Sequence, residues 1–464
     1  MRVVLADLRG QDGYVSKDSV AGGYASRVTP FSRVIRVVTF FKERFITVPS
    51  GQLAYVAAIF AERRHEVIFV EDEDDTPDAD IAIVLTSLVD YRREARWADA
   101  MRARGTYVGA IGLTASKMPE LYDGWVDFVV NGEPEHAARR LAGGERLAGR
   151  VVSPAVEHLD ELPFPRWDLV GMHPQQRGFR IIRPAGRGFP LIASRGCPEF
   201  CTYCPHRILA GYRARSVENV GEELALLCER YPNPYVIFRD PLFTQERERM
   251  LALCDEIRSR GLELEFECET RLDRLDPDLL NRLRRAGLRS ISFGVESVSS
   301  ETLRRVGRRP TPPSHQRAIV DHCRRRGIFT AGFYVIGFLQ DDWHSVAATI
   351  HYAIDLGSTF AQFKILTPYP GTPLWKQLEP RVYERDWQRF DGFTPTFHHP
   401  SLRAEELRFL LGAAYTRFYM RPSFAVNFSR VQDQRARNFA RHMDRRVAAL
   451  HGRQEEVRMR PVVC

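Results

Sequence analysis

The sequence lacks a long apolar run. Although 44% of its 464 residues are hydrophobic, no stretch approaches the about 18 consecutive apolar residues that mark a membrane-spanning helix. The opening residues, MRVVLAD, carry charged residues, and their apolar stretch is too short for a secretory signal peptide. They are typical of a first strand. We therefore expect no membrane partner and two or three domains, each large enough to bury its own core.

Cysteine is sparse, with eight residues in the whole chain. Five of them are scattered, at positions 228, 254, 268, 323 and 464. This distribution differs from the dense disulfide framework of small secreted proteins and fits a reducing compartment. The sequence therefore predicts a cytoplasmic protein.

The sequence also lacks a stripe that combines basic and aromatic residues. The formal net charge is +8, but the arginines are distributed along predicted helices and stand in last turns, as in residues 282–285 and 324–326. A guanidinium group in a last turn favours the negative end of the helix dipole. The excess charge therefore needs no nucleic-acid partner, and none is predicted.

The other three cysteines stand together in residues 194–206, with the sequence SRGCPEFCTYCPH. Cys197, Cys201 and Cys204 have the spacing C-x3-C-x2-C. An iron-sulfur cube ordinarily takes four cysteine thiolates, so a cube held by these three would leave one iron free to bind a substrate or cofactor. The alternative is a zinc ion with His206 as the fourth ligand. However, the long series of strand and helix patterns that follows is unlike a zinc finger, which is a small domain held together by its metal ion.

This motif resembles the signature of the radical S-adenosylmethionine (SAM) superfamily. The resemblance implies a [4Fe-4S] cluster whose unique iron binds the amino and carboxylate groups of SAM. It further implies reductive cleavage of SAM to a 5′-deoxyadenosyl radical, which abstracts hydrogen from a substrate. Tyr203 matches the aromatic residue that lies by the adenine in that family. An electron donor such as a flavodoxin or a ferredoxin is implied as well.

Residues 1–150 alternate apolar strands with helical patterns, which predicts a doubly wound, Rossmann-like parallel sheet. Strands are expected at residues 3–6, 67–71, 81–85, 107–111 and 128–131. The segments 49–55, 65–67 and 130–135 resemble the cobalamin-binding domain that precedes many radical SAM domains. The histidine loop D-x-H-x-x-G, which ligates cobalt in classical cobalamin domains, does not follow the first strand. The run GAIGLT at residues 109–114 is bulkier than the loop of small residues that this family often has there, so cobalamin binding stays open.

Three further regions complete the expected organisation, which as a whole is of the α/β class. Residues 151–187 form a proline-punctuated linker, residues 188–375 resemble the partial (β/α)6 barrel of radical SAM enzymes, and residues 376–464 form a helical, basic C-terminal region. Barrel strands are expected at residues 191–194, 235–239, 262–268, 290–294, 330–336 and 360–365.

The carboxyl ends of these strands carry the candidates for SAM binding, because the active residues of α/β barrels lie there. Asp240 follows the second strand, where the family binds the SAM amino group. Arg271 follows the third strand and could hold the SAM carboxylate bidentately. The sequence GVES matches the family motif G-x-E-S, which implies that Gly294 and Glu296 lie at the SAM ribose. Gly337 ends the strand that backs the adenine in this family.

Four residues are candidates for chemistry on the substrate. Strand alternation puts Glu267 and Glu269 on one face, where their carboxylates would hold a polar, sugar-like small molecule. Tyr212 and His206 are candidate proton donors.

Three functions agree with these residues. The leading interpretation is a dehydratase of antibiotic biosynthesis, a lyase that removes water from a vicinal diol in an aminoglycoside-like sugar without cobalt. The altered loop at residues 109–114 favours it. The first alternative is a cobalamin-dependent radical SAM C-methyltransferase of secondary metabolism. The second is a redox-sensing binding protein that keeps the cluster without turnover, which the complete series of strand motifs disfavours.

Overall fold

The computed structural model describes residues 1–9, 15–17, 24–27, 36, 49–171, 188–208, 211–434 and 437. Two six-stranded parallel sheets form its framework. The first is doubly wound, the second forms a partial barrel, and helices follow the barrel. The α/β fold class predicted from the sequence is therefore confirmed.

The N-terminal sheet and its short hairpin contain eight strands: β1 (Arg2–Ala6), β2 (Val15–Ser16), β3 (Ser26–Arg27), β4 (Glu66–Val70), β5 (Ile81–Leu85), β6 (Tyr107–Ile111), β7 (Phe128–Gly132) and β8 (Gly149–Ser153). The six sheet strands lie in the order β4-β1-β5-β6-β7-β8. The last four residues of β1 and all of β5 are buried, as expected for parallel strands covered on both faces. The chain order reverses between β1 and β5, which places the binding crevice of such a sheet at their carboxyl ends.

Four helices cover this sheet: α1 (Gly51–Glu62), α2 (Tyr91–Ala103), α3 (Leu113–Lys117) and α4 (Pro134–Ala142). Helix α1 begins after Ser50, whose hydroxyl accepts a hydrogen bond from the Leu53 amide at 3.2 Å. Its first ten residues are all buried, since the helix packs on the sheet, on α4 and on the barrel. A helix that is buried on all sides carries apolar residues on all sides, and the sequence of α1 agrees with this.

The barrel comprises six sheet strands and a second short hairpin: β9 (Gly188–Leu191), β10 (Ser194–Arg195), β11 (Arg213–Ala214), β12 (Tyr235–Phe238), β13 (Glu265–Thr270), β14 (Leu288–Glu296), β15 (Phe329–Ile336) and β16 (Phe360–Ile365). The sheet order is β16-β15-β14-β13-β12-β9. The first barrel strand lies three residues earlier than the sequence predicts. The apolar run continues past its end because Ala193 is also buried, at the start of the next loop.

Seven helices accompany the barrel strands: α5 (Val217–Arg230), α6 (Arg247–Ser259), α7 (Pro277–Ala286), α8 (Ser300–Arg305), α9 (Pro313–Arg326), α10 (Trp343–Leu356) and α11 (Pro373–Leu378). Burial alternates along β13, where Phe266, Cys268 and Thr270 are buried and the intervening glutamates are partly exposed. The glutamates therefore point into the barrel, whereas the apolar residues face the surrounding helices.

Helix α12 (Ala404–Tyr419) covers the edge strand β16. The Tyr415 hydroxyl donates to the Phe363 carbonyl at 3.0 Å, and the Tyr419 hydroxyl donates to the Ala361 carbonyl at 2.7 Å. These contacts satisfy backbone groups that an uncovered edge would expose. A further helical segment covers residues 422–434. Within the described ranges, no helix is both long and apolar enough to span a membrane.

The sequence-based domain boundaries stay predictions. Strand β8 extends the N-terminal sheet across the boundary expected at residue 150. Of the predicted linker, residues 172–187 lie outside the described residues, as do residues 438–464 of the C-terminal region and the cysteine at position 464.

Candidate active site

The loop that carries the three cysteines begins directly after β9 and is anchored by Asp240. This residue follows β12 and is fully buried. Its carboxylate accepts hydrogen bonds from the Ser194 hydroxyl at 2.5 Å and from the Ala193 amide at 3.1 Å. Burial raises the pKa of the Asp240 carboxyl. The structure therefore places Asp240 behind the loop, where it holds the start of the cysteine segment, rather than at an open ligand position.

The three cysteine thiols lie near one another at the carboxyl end of the barrel, close enough for their charges to interact. Cys201 is buried, and Cys197 and Cys204 are half-buried. Burial raises the pKa of Cys204 to about 12, against the hydrogen bond that the His206 amide donates to its sulfur. It also raises the pKa of Cys197. Bound metal would therefore displace protons from these thiols.

These thiols fit a cluster better than a single ion. Among the residues that the structure describes, no group of three or more histidine, cysteine, aspartate or glutamate side chains converges to hold one metal ion. A zinc site needs such convergence at one point, whereas the ligands of a cube bind different irons. The His206 side chain instead lies near Glu269, Arg239 and Lys364, as described below. The arrangement therefore favours the cluster interpretation over the zinc alternative.

Arg308 lies beside the cysteines and was not among the residues expected from the sequence. Its guanidinium is 3.9 Å from the Cys201 sulfur and 3.7 Å from a Glu296 carboxylate oxygen, and it donates to the Gly294 carbonyl. Burial lowers the pKa of Arg308, but the electrostatic effects of Tyr203, Glu296 and Cys201 outweigh it, so the pKa is raised. The residue follows α8, 107 positions after Cys201, so only the fold reveals the contact.

Glu296 lies at the end of β14 with an unusual backbone conformation. Its φ angle is +66°, a region that non-glycine residues rarely adopt. The register with β15 shifts between Gly294 and Glu296, which turns the carboxylate towards Arg308. Burial raises the pKa of Glu296, against the effects of Arg308 and of a hydrogen bond from Tyr203. A Cβ atom at Gly294 would lie 2.1 Å from the Glu296 carboxylate, so this conformation needs glycine there.

Tyr203 is close to the same carboxylate. Its ring packs edge-on against Phe338 at 5.6 Å between centroids, and burial raises the pKa of its hydroxyl. Gly337, directly before Phe338, has a φ angle of +82°. The amides of Gly337 and Phe338 both donate to Asp341 at 2.9 Å. Of the expected SAM-binding residues, the structure thus brings Tyr203, Gly294, Glu296 and Gly337 to one end of the barrel.

Arg271 has several partners within the protein. Two of its nitrogens donate to the two oxygens of Asp273, at 2.8 and 3.0 Å. It also contacts Glu199 at 3.2 Å and the Arg309 carbonyl at 2.9 Å. The bidentate contact expected with the SAM carboxylate is made here with Asp273. A SAM-binding role of Arg271 stays a prediction.

The barrel interior contains a polar group of side chains. Glu269 pairs with Arg239 at 2.7 Å, and Glu267 accepts a hydrogen bond from the Tyr235 hydroxyl at 2.6 Å. His206 lies close enough to Arg239, Glu269 and Lys364 for their charges to act on it, and burial lowers its pKa. Its Nδ1 atom is buried without a hydrogen-bond partner.

This group combines residues that the sequence predicted with two that it did not. Glu267, Glu269 and His206 were expected at this site, whereas Arg239 and Lys364 were not. Strand alternation at the ends of β12 and β16 would have indicated both cations. Tyr212 lies apart from them, since its hydroxyl bonds to Glu246, and burial raises its pKa.

The N-terminal sheet meets the barrel beside the cysteine loop. Arg195 is buried and pairs with Glu133 at 3.2 Å and with Glu135 at 2.7 Å. Both glutamates follow β7 at the carboxyl edge of the N-terminal sheet. The N-terminal segment and the barrel loops also meet where the ring of Tyr24 stacks on Tyr369, at 5.3 Å between centroids. The carboxyl edges of the two sheets therefore face each other.

Comparison with known proteins identifies the family of this chain. The family model described as the Radical SAM superfamily matches residues 191–353. An "Uncharacterized methyltransferase PH0819" of Pyrococcus horikoshii is 30% identical over 324 residues, which is 65% of this chain and 69% of the relative. The chain belongs to the radical SAM superfamily. The zinc alternative is thereby set aside, and a [4Fe-4S] cluster and SAM are its cofactors.

Two solved structures resemble the fold of this radical SAM protein. One is the radical SAM methyltransferase TsrM of Kitasatospora setae with cobalamin and a [4Fe-4S] cluster bound, with 16% identity and a TM-score of 0.60 over 81% of this chain and 77% of that one. The other is the cobalamin-dependent SAM radical enzyme OxsB with aqua-cobalamin and SAM bound, with 14% identity and a TM-score of 0.65 over 89% of this chain and 66% of that one.

Other relatives of this radical SAM protein differ in their named activities. Several are named as methyltransferases or a methylase. Others are anaerobic magnesium-protoporphyrin IX monomethyl ester cyclases, such as that of Cereibacter sphaeroides, with 26% identity over 64% of this chain. The chain spans 52% of that relative's length.

Proposed function

We propose that this radical SAM protein is a cobalamin-dependent methyltransferase of a small polar molecule. The observation that carries the proposal is the contact of Arg195 with Glu133 and Glu135. Because Arg195 stands two residues before Cys197, this contact turns the crevice of the doubly wound sheet towards the cysteine loop. A group held in that crevice would lie next to the substrate space of the barrel. The methyltransferase names of several relatives support the same activity.

The carboxyl edge of the N-terminal sheet carries buried oxygens that could contact a corrinoid, and two of them lie 3.9 Å from the cations Lys17 and Arg93. Asp7 follows β1, Asp90 precedes α2, and Thr114 follows β6. Each has one buried side-chain oxygen without a hydrogen-bond partner. A corrinoid carries many amide groups, which can donate to carboxylates and accept from a hydroxyl. No histidine precedes His65 in the sequence, so the loop after β1 supplies no imidazole for cobalt.

The dehydratase prediction gains no support from the relatives, and one bulky residue of the loop on which it depended, Leu113, has another role. Leu113 is buried in an apolar cluster that also contains Leu88, Phe338 and Leu366. This cluster joins the loops of the N-terminal sheet to the top of the barrel. The bulk at position 113 is therefore explained by packing between the sheets, and it does not argue against a corrinoid.

The residues of this chain can perform several parts of such a reaction. When bound, the cluster and SAM would supply a radical, and the corrinoid would supply a methyl group. Arg308 and Glu296 would orient SAM beside the cysteine loop, with Tyr203 against the adenine. In the barrel, Glu269 would bind and orient a polar substrate. His206, whose lowered pKa keeps it neutral near pH 7, could take up one proton from the substrate at Nδ1.

The proposal can be tested on anaerobically reconstituted protein that is incubated with hydroxocobalamin and then desalted. We expect iron-sulfur absorption together with about one corrinoid per chain. Cys201→Ala should lose the cluster absorption and SAM cleavage but retain the corrinoid. Cys228→Ala, which changes a half-buried cysteine on α5, is the matched control and should retain both.

Two outcomes would contradict parts of this proposal. Cluster absorption without retained corrinoid would exclude the cobalamin-dependent reaction and return dehydration to the leading position. SAM cleavage by Cys201→Ala at the rate of the parent would exclude the assigned cluster site. A methyltransferase should also form S-adenosylhomocysteine when its substrate is supplied.

A further inference from the structure

Lysine is rare in this chain, which has five lysines among its 67 lysine and arginine residues. Of the four lysines in the described part of the chain, Lys376 alone is exposed. Lys17 is buried and pairs with Glu94 at 2.7 Å, whereas Lys117 and Lys364 are half-buried. Since arginine supplies the surface cations of this protein, the two half-buried lysines need another explanation.

Lys117 lies between the two sheets. It ends α3, at the carboxyl edge of the N-terminal sheet. A Cβ atom placed at Gly371 would lie 3.7 Å from the Lys117 Cδ atom and 3.3 Å from a methyl carbon of Ile208. Gly371 follows β16, and Ile208 follows the cysteine loop. The Lys117 side chain therefore reaches the mouth of the barrel, beside the segment that leaves the cluster ligands.

The ammonium group of Lys117 has no counter-ion among the described residues. Glu120, three residues later, is exposed, and its charge acts on Tyr24 and Arg150 instead. Burial alone lowers the pKa of Lys117. A cation that loses water without gaining a counter-ion is destabilised. A bound anion would supply the missing compensation.

Lys364 is a second cation at the same mouth, deeper in the barrel. It lies on the inward face of β16. A Cβ atom at Gly392 would lie 3.1 Å from its Cδ atom and 3.5 Å from the Tyr369 hydroxyl. The charge of Lys364 acts on both His206 and Glu296. The lysine therefore stands between the end of the cysteine loop and the carboxylate assigned to SAM.

The acids near these cations already have partners within the protein. They are Glu269 with Arg239 at 2.7 Å, Glu296 with Arg308 at 3.7 Å, and Asp391 with two backbone amides at 2.7 and 2.8 Å. By contrast, His206 keeps a buried Nδ1 atom without a hydrogen-bond partner. The mouth thus offers positive charge and an unused polar atom to a ligand.

We propose that Lys117 and Lys364 bind an anionic group, a carboxylate or a phosphate, of the molecule that is methylated. The inference rests on the proposed function, because it assigns the space between the sheets to the methyl acceptor. Both lysines lie outside residues 191–353, which the superfamily model matches, so the shared SAM-cleaving core does not account for them. A compact ammonium group binds either anion as a point charge.

The small number of lysines allows a direct test by chemical labelling. The cluster-loaded protein is treated anaerobically with limiting N-hydroxysuccinimidyl acetate, and acetylation of each lysine is measured by peptide mass spectrometry. Inorganic phosphate or acetate is added at an ionic strength held constant with chloride. We expect one or both anions to slow acetylation of Lys117 several-fold and to leave the exposed Lys376 unchanged. The anion that protects at the lower concentration identifies the group.

Variants measure the contribution of the charge. Lys117→Met keeps the apolar part of the side chain against Gly371 and removes the ammonium group. It should raise the dissociation constant of inorganic phosphate, measured by calorimetry, by about tenfold or more. Lys117→Arg keeps the charge and should retain more of the affinity. The matched control, Lys376→Met, should bind phosphate like the parent, and iron-sulfur absorption verifies that each variant is folded.

The phosphodiester of a corrinoid is another source of the same chemistry, and a second labelling experiment distinguishes it. The protein is loaded with hydroxocobalamin or with cobinamide, which lacks the phosphate-linked nucleotide. Protection of Lys117 by phosphate in hydroxocobalamin-loaded protein supports the substrate assignment. Protection by hydroxocobalamin alone, but not by cobinamide, would overturn that assignment. Failure to retain any corrinoid would contradict the proposed function, whereas the anion site is still measured on the cluster-loaded protein.

Two further outcomes would overturn the anion site itself. One is acetylation of Lys117 at the same rate with and without phosphate and acetate. The other is binding of phosphate by Lys117→Met with the affinity of the parent.

Discussion

The contact between the two sheets can be tested by removing the buried cation at its centre. Arg195 has 6% of its surface exposed, and Glu135 has 1%. Their charged groups are 2.7 Å apart. Glu133 has a second cation, Arg213, at 2.7 Å, whereas Arg195 provides the only ion pair found for Glu135 among the described residues. Arg195→Met therefore leaves the Glu135 carboxylate buried without a counter-ion.

The size of the effect follows from this geometry. Removal of one partner of a buried ion pair costs about 3–5 kcal/mol, because the remaining charge is uncompensated. With a urea m-value of about 2–3 kcal/mol/M, the unfolding midpoint should fall by about 1–2.5 M. Replacement of both partners, Arg195→Met/Glu135→Gln, leaves Glu133 as the one acid of this contact, and Glu133 keeps Arg213 as its counter-ion at 2.7 Å. The double variant should therefore recover most of the lost stability.

Unfolding in urea can be followed by near-ultraviolet circular dichroism and by tryptophan fluorescence. Trp167 packs against Phe189 at 6.0 Å and reports on the same region. If the two sheets unfold in separate transitions, both midpoints should move, since the pair connects them. A loss below about 1 kcal/mol in Arg195→Met, or a double variant no more stable than Arg195→Met, would refute the reasoning.

Three further predictions concern residues around the cysteine loop. Asp240→Leu should lower the free energy of unfolding by about 1–3 kcal/mol for each of its two donors left unpaired, and should lower the iron content after reconstitution. Asp240→Asn should restore most of the stability and most of the iron content. Equal iron content in Asp240→Leu and the parent would contradict the anchoring role. Burial raises the pKa of Asp341 from 3.8 to about 6, so its contribution to stability is present below pH 3.8 and is lost as the pH rises through 6. The loss is about 3 kcal/mol in full, and Asp341→Asn should flatten this part of the stability curve measured between pH 4 and 7. Gly307→Ala should reduce thermal stability more than Gly261→Ala. Both glycines have positive φ angles, but only a Cβ atom at position 307 meets another atom within 4 Å, the Phe200 carbonyl oxygen at 2.3 Å. Equal melting temperatures of these two variants would show that the close approach to Phe200 is unimportant.

The sequence alone determined the fold class and the grouping of three cysteines within one short segment. Buried parallel strands are continuous apolar runs, so their positions can be recognised locally. The N-terminal strands at residues 81–85 and 107–111 match the prediction to the residue. The cysteine spacing and the GVES motif are equally local, because their ligands stand within a few residues of one another.

The short strand β8 shows the limit of local patterns. In Gly149–Ser153 only Val151 and Ser153 are buried, since this strand lies at the edge of its sheet. Without a full apolar run, the segment reads as part of a linker. The same limit applies to the end of β9, where one apolar run covers both a strand and the beginning of a loop.

Only the tertiary structure decided which charged residues meet at the site. Arg308 reaches Cys201, Arg239 reaches Glu269, and Arg195 reaches Glu135, across 107, 30 and 60 positions of the chain. A charged residue looks the same in the sequence whether it is solvated or buried in a pair. Its partner depends on the order of the strands in the sheet and on the packing of the two sheets against each other. For that reason the grouping of the three cysteines could be predicted from the sequence, whereas the charged residues that surround them could not.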